Sequence, residues 1–477
     1  MKKEDLYDAV TNLPDKYVKE AKKRKIPRWT AAVAAILTVV ILLSIFLGTG
    51  GVNLGRGGVQ VLAAAEYPQM AAYPNEQKYI KWNGKFDDEA FRQVYDRWRD
   101  DLNDLRPEED FADGLETYFP TAARALLSGS QGNRVCSPLN VYMALAMLAE
   151  ITDGDTRQEI LAALGSDDLE DLRTQAKAVW RSVYRQDGAV NSVLANSLWL
   201  DQGESFRQET VDRLAENDYA SVYRGEMGSE ELDKALRDWL DEQTGGLLKK
   251  ATKTAQFSPD TVLALASTVY FQSKWTEEFS KSNTREGTFH GLSGDTSADF
   301  LRSDGADTYY WGEGFAAYGK RLESGGTMWF FLPDEGVTPE DLLAGEDVFT
   351  LASDSSQWEN QARLIVHVSI PKFDVFRQQT LTDALETMGI SKVFSPAQAD
   401  FSPISENALC LSQTDHAARL AIDEEGVTAA AYTLMDAAGA ARPPEEEVDF
   451  RLDRPFLTMV TSQDGLLLFA GIVCDIE

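Results

Sequence analysis

An α+β domain with large β-sheets, preceded by one transmembrane helix, is the fold class that this 477-residue sequence predicts. Three observations lead there. Runs rich in β-branched and aromatic residues are interspersed with helical periodicities in no regular order, which argues against doubly wound and barrel folds. A composition of 43% hydrophobic and 26% charged residues describes a chain that can bury a large core. Near the start, a basic segment precedes a stretch from Trp29 to Gly55 that carries no charged residue.

The N-terminal part divides by charge. From Lys16 to Arg28 there are seven Lys or Arg against the single acid Glu20, so residues 1–28 are expected to stay in the cytoplasm. Residues 29–47 follow as the membrane helix, with Trp29 at the interface and the apolar run Ala31 to Leu47 behind it. As a helix that run measures roughly 25–30 Å, enough to cross a bilayer. A cleaved signal peptide is the competing reading. Its basic region would be unusually long at 28 residues, and the small residues Ala63 to Ala65 lie too far downstream for a cleavage site. The expected location is therefore a single-pass plasma-membrane protein with everything after the helix outside the cell.

Residues 48–109 read as an extracellular tether and an amphipathic helix. Glycines dominate 48–58, which suits a flexible link. Over 86–105, Phe91, Val94, Tyr95, Trp98, Leu102 and Leu105 recur at helical spacing among Asp and Arg. From 110 to 477 no repeat or long linker divides the chain, so one domain is expected. A second helical segment at 111–128 is interrupted by Pro120. Strands are expected at 190–200, 261–271, 327–333, 364–373 and 465–473, and helices at 141–151, 229–244 and 381–389.

Composition also limits function. The formal net charge of −31 repels phosphate backbones and anionic lipid headgroups, so no nucleic-acid partner is expected for the folded part. Cys136, Cys410 and Cys474 are too scattered for a disulfide framework or a zinc site. His290, His367 and His416 are far apart, and no HExxH, GxSxG, Walker loop or GxGxxG occurs, so neither metal, cofactor nor catalytic residue is predicted. On its own, His416 reads as a hydrogen-bonded structural histidine.

One segment has an odd composition. Residues 426–442, GVTAAAYTLMDAAGAAR, are mostly small, lack proline, and carry only Asp436 as a charge before Arg442. Ala content alone favours a helix. As a strand, the same residues would present Val427, Ala429, Ala431, Thr433, Met435 and Ala437 on one face, and Thr428, Ala430, Tyr432, Leu434 and Asp436 on the other.

The flanks of this segment resemble the serpin family over most of residues 110–477, here of a membrane-anchored bacterial type. The motifs run in order: CSPLNVYMALAMLAEITDGDTRQEILAALG (136–165), ANSLWL (195–200), RDWLDEQTGGLLKK (237–250), VYFQSKW (269–275), FFLPDEG (330–336), IPKF (370–373), MGISKVFSPAQADFSPIS (388–405), SQTDHAARLAIDEEGVTAAA (412–431) and FRLDRPFL (450–457). The resemblance implies a serpin-like fold with surrounding helices and an exposed reactive centre loop. A target protease cleaves the loop, and before the acyl-enzyme is hydrolysed the loop inserts into the main sheet.

The same resemblance assigns residues. Glu424, Gly426, Val427, Thr428, Ala429, Ala430 and Ala431 form the hinge; Ser137, Pro138, Asn140, Asn196 and His416 form the shutter where the sheet parts; Trp275 marks the breach where insertion begins. Counting from Gly426 sets the reactive bond between Ala440 and Ala441, with Pro443 and Pro444 beyond it. A small residue before the bond suits an elastase-like or subtilisin-like serine protease, while Pro443 spoils the bond after Arg442 for trypsin-like enzymes. Two positions depart from the family pattern: Ser267 stands where Asn is usual, and Thr458 where an apolar residue is usual.

The function expected is thus a membrane-tethered extracellular serpin, not an enzyme, that traps a serine protease covalently and works without a cofactor as a monomer. The alternative is a non-inhibitory serpin-like binding or sensing module at the cell surface, with residues 1–28 reporting inward.

Overall fold

The computed structural model describes residues 58–476 apart from 82–83, 109, 130, 247–252, 254, 412–413 and 428–443. In chain order the first elements are β1 (Gln60–Ala63), α1 (Asp88–Leu105), α2 (Leu115–Leu127), β2 (Arg134–Cys136), α3 (Pro138–Glu150), α4 (Gly154–Leu164) and α5 (Leu169–Val183). Then come β3 (Arg185–Gln186), β4 (Asn191–Asp201), α6 (Gln208–Asn217), β5 (Ala220–Gly225), α7 (Glu230–Gln243), β6 (Leu263–Lys274), β7 (Arg285–Gly291), β8 (Gly294–Gly312), β9 (Phe315–Arg321) and β10 (Thr327–Pro333). The last are α8 (Pro339–Ala344), α9 (Asp347–Ser353), β11 (Gln361–Pro371), β12 (Phe373–Thr380), α10 (Thr382–Thr387), β13 (Asp415–Ile422), β14 (Gly426–Val427), β15 (Glu447–Arg451), β16 (Phe456–Thr461) and β17 (Leu467–Val473).

The strands form two sheets. The first runs β1-β5-β4-β6-β14-β13-β12 with β3 on β4, and the second β15-β11-β8-β9-β10-β16-β17-β2 with β7 on β8. Sequence patterns account for the layering. In β4 the nine residues from Ser192 to Leu200 are all buried, which is why apolar residues fall on both of its faces, with Ser192, Asn196 and Ser197 as the buried polar exceptions. On one face α7 brings Trp239 against Trp199. On the other lies α3, apolar nearly all round and packed on both β6 and β17, so that it sits between the sheets.

Three details differ from the sequence reading. Pro120 does not interrupt its helix: α2 runs through it, because the carbonyl that its missing N–H orphans is that of Glu116 in the exposed first turn. The strand expected at 364–373 breaks at Lys372, β11 ending in the second sheet and β12 starting in the first. Residues 60–63, within the segment 48–109 read as a tether and an amphipathic helix, form a strand on the edge of the first sheet. From Arg56 onward the chain is one compact unit, so α1 packs with the body and buries Trp98. Among the described residues no helix is long and apolar enough to cross a membrane; the span Ala31 to Leu47 lies outside them.

Candidate functional site

The middle of the first sheet is unusual. Among the described residues no register pair joins β6 directly to β13; instead the two-residue β14 lies between them, with Gly426 opposite Lys274, and Val427 opposite both Ser273 and Ile422. Below Val427 the two strands flank a cavity lined by Val269 and Phe271 of β6 and Ala417 to Leu420 of β13, with Ser137 and Asn140 on its floor. A second cavity continues in the same direction past Ser267 and His416 onto Leu145 and Leu148 of α3. A slot thus runs down the sheet.

The first turn of α3 secures both sides of the slot. Ser137 caps the helix by accepting from the Asn140 N–H at 3.3 Å, with Pro138 at the first helical position where its missing N–H costs nothing. The Ser137 hydroxyl donates to the Leu468 carbonyl at 2.6 Å, and its backbone N–H donates to His416 Nε2 at 3.1 Å. That bond requires a lone pair on Nε2, so the imidazole is neutral with its proton on Nδ1. Burial, aided by the Arg377 charge, pushes its pKa down to about 4, which agrees with a neutral ring. Pro138 also offers its carbonyl to the Tyr118 hydroxyl at 3.0 Å.

Asn140 holds the other side. Its Nδ2 donates to the Ser267 carbonyl at 3.1 Å. The Ser267 hydroxyl lies between Asn140 Oδ1 and Asn196 Oδ1, 2.8 Å from the latter, and Asn196 Nδ2 donates to the Asp218 carbonyl at 2.8 Å. Ser137 and His416 therefore tie β13 to α3, while Asn140, Ser267 and Asn196 tie β6 and β4 to it. Ser267, a departure from the family pattern, is a full member of this network.

At the upper end, Trp275 is buried; its Nε1 donates to the Asp423 carbonyl at 3.0 Å and its N–H to the Glu425 carbonyl at 3.1 Å. The Glu424 carboxylate meets Lys372 at 2.7 Å and the Thr284 hydroxyl at 2.8 Å. Burial alone would raise its pKa, but these partners hold it below the usual carboxylate range. Only glycine fits at 426, since a Cβ there would lie 2.4 Å from the Ser273 carbonyl oxygen.

Ser137, Asn140, Asn196 and His416 are brought together, and Trp275 stands beside Glu424, Gly426 and Val427. Thr428, Ala429, Ala430 and Ala431, and the bond between Ala440 and Ala441, lie outside the described residues. Beyond them β15 runs parallel to β11 with Glu447 opposite Ile365. Ser267, Lys372 and Thr284 were not among the sequence-derived site residues. Ser267 had a signal in its departure from the expected Asn; Lys372 stood in the IPKF motif, but nothing in the sequence paired it with Glu424, 52 positions later. Thr458 is accommodated in the core because its hydroxyl donates to the Trp329 carbonyl at 2.8 Å.

A sequence profile described as Serpin (serine protease inhibitor) matches residues 119–476. The alpha-1-antiproteinase of Callosciurus caniceps is 31% identical over 338 residues, 68% of this chain and 78% of that protein. Serpin-ZX of Arabidopsis thaliana is 28% identical over 362 residues, 72% of this chain and 92% of that protein. Among solved structures, the thermophilic serpin tengpin in its native state superposes with a TM-score of 0.68 at 23% identity, covering 78% of this chain and 95% of tengpin.

Proposed function

This chain belongs to the serpin family, serine protease inhibitors rather than enzymes, and we propose that it acts by covalent suicide trapping with insertion of its reactive loop. The observation that carries the reading is β14: the start of the hinge already pairs with β6 on one side and with β13 on the other. Continued one residue at a time, that antiparallel register sets Thr433 opposite Ser267 and Ala437 opposite Leu263, at the far end of β6. Val427 is buried, so residues 429, 431, 433, 435 and 437 would follow it onto the inner face. Thr428 to Ala431 carry side chains small enough to enter the slot with little steric resistance.

The chemistry is that of an arrested acyl transfer. The protease serine attacks the Ala440 carbonyl, the amide bond to Ala441 breaks, and the new amine at Ala441 takes the proton and leaves with the C-terminal segment. An ester then joins Ala440 to the protease. Entry of residues 428–437 into the slot carries that ester away from the loop's original position and outruns hydrolysis. The named activity of the squirrel relative, an antiproteinase, supports the inhibitory reading. In this proposal the helix over residues 29–47 anchors the protein in the plasma membrane with the inhibitor outside, and the small Ala440 selects an elastase-like or subtilisin-like enzyme.

The test is incubation of the full chain with pancreatic elastase and with subtilisin, followed by non-reducing denaturing electrophoresis and mass spectrometry of the released fragment. A covalent band at the summed mass less that of residues 441–477, and a released fragment beginning at Ala441, are expected. A fragment beginning at Pro443 would refute the specificity assignment. Clean cleavage with full protease activity across a wider panel would favour the binding or sensing module instead.

A further inference from the structure

The arm formed by residues 58–106 precedes the serpin match at 119–476 and makes an ordered set of contacts. It begins as an edge strand: Gln60 and Val61 of β1 pair with Arg224 and Tyr223 of β5, and the Ala65 N–H donates to Ser221 Oγ at 3.1 Å. Tyr67 then enters an aromatic cluster, 5.5 Å from Trp180 and 5.9 Å from Tyr184, where Trp180 stacks on Tyr219 at 3.7 Å. The Tyr184 hydroxyl donates to the Pro68 carbonyl and the Tyr73 N–H to the Asp187 carbonyl, at 3.1 and 2.8 Å.

Asp187 is the hub of the arm's attachment. Buried, it accepts from Trp98 Nε1 at 2.9 Å and from Arg185 Nε at 2.7 Å, and from the N–H groups of Ala189 and Val190 at 2.9 Å each. Arg185 passes the connection on by donating to the Glu323 carbonyl at 3.0 Å. Glu323 and Ser324, in the turn between β9 and β10, bond in turn to the Lys274 carbonyl and Ser273 Oγ, the two residues that face Gly426 and Val427. The end of α1, at Leu105 and Arg106, shares a cavity with Ser192 and Phe271 of the first sheet and with Ser324 and Asp464 from turns of the second.

The arm is therefore attached on two sides. One attachment is to the block β5-β4; at the other end the chain runs on from Arg106 into α2, which packs on β17 of the second sheet. Any widening of the slot between β6 and β13 that carries β6, β4 and β5 away from β17 shears the arm. We propose that residues 58–106 are a strap that holds the first sheet at its present width and so sets how readily a strand enters the slot. This rests on the inhibitory reading for its biological use, but the strap itself is a statement about sheet opening that can be tested without a protease.

The probe is a fluorescein-labelled peptide of the sequence VTAAAYTLMDA, residues 427–437, annealed to the full chain and followed by native electrophoresis. Trp98→Ala is expected to anneal about tenfold faster, the rate equivalent of losing one charge-assisted hydrogen bond and a ring contact. Trp98→Phe, which keeps the ring and removes the indole N–H, is expected to anneal about threefold faster, and Tyr67→Ala to behave like Trp98→Ala. Leu292→Ala, an exposed change in a distant turn, should match the unaltered chain. Unchanged annealing rates in Trp98→Phe and Tyr67→Ala, with circular dichroism showing folded protein, would overturn the strap, as would the absence of annealing in every variant. Covalent trapping of elastase and subtilisin by the unaltered chain is assayed in parallel. Faster annealing without trapping keeps the strap and refutes the inhibitory reading; trapping with unchanged annealing does the reverse.

Discussion

Protonation of His416 should unlatch β13, and the size of the effect follows from its surroundings. The ring is buried, and its Nε2 accepts from the Ser137 N–H, so the folded state needs it neutral. An unfolded histidine has a pKa of about 6.5, whereas burial here brings it down to about 4. Because the folded value is depressed, the contribution is fully present above about pH 6.5 and is lost as the pH falls from there toward 4. A difference of about 2.5 units corresponds to about 3 kcal/mol in total, of which about 2 kcal/mol is lost between pH 7.5 and pH 5. The perturbation is His416→Gln, which abolishes the titration whatever it does to absolute stability. The assay is urea unfolding at intervals from pH 7.5 to 5, before most carboxylates titrate. His367, held above its usual pKa by Asp304 and Glu447, is exposed and present in both proteins, so it cancels in the comparison. The variant should show a pH dependence flatter by about 2 kcal/mol over that range. Parallel curves for the two proteins would refute the neutral-latch argument.

Other sites make further predictions. Gly426→Ala drives a methyl into the Ser273 carbonyl and should expel β14, so elastase and subtilisin should yield mainly cleaved chain and several-fold less covalent complex on a denaturing gel. Glu424→Lys sets two ammonium groups together at a buried site and should cost about 3 kcal/mol in urea unfolding, with partial recovery in the double variant Glu424→Lys/Lys372→Glu. Ser267→Ala leaves the Asn140 and Asn196 carbonyl oxygens without their shared hydroxyl and should destabilise by about 1–3 kcal/mol, whereas Ser267→Asn should cost less because its amide can bond to one of them. Deletion of residues 1–57 should move the protein from the membrane to the soluble fraction on cell fractionation; retention in the membrane fraction would count against the anchor.

The legible parts of this protein are those whose chemistry is local. β4 and β10 announce themselves as apolar, β-branched or aromatic runs because both of their faces are covered, and α7 shows its helical period because one of its faces meets water. Ser137, Asn140, Asn196 and His416 were grouped through motif resemblance, since nothing in their spacing says that they meet. β1 was missed because its pairing energy comes from an edge 160 residues away, and the break at Lys372 because a run of strand formers does not record a change of sheet.

By itself, then, the sequence determined the α+β class, the main strands and helices, the odd composition of residues 426–442, and the charge contrast on which the membrane expectation rests. Only the tertiary structure decided that one helix turn, through Ser137 and Asn140, latches the two sides of the slot separately, that Ser267 joins the latch, and that Glu424 has Lys372 and Thr284 as its partners. The physical reason is range. Periodicity, apolar runs and caps are set by neighbours a few positions away, whereas a buried hydrogen bond depends on which distant strand supplies the partner, and that choice exists only once the sheets have packed.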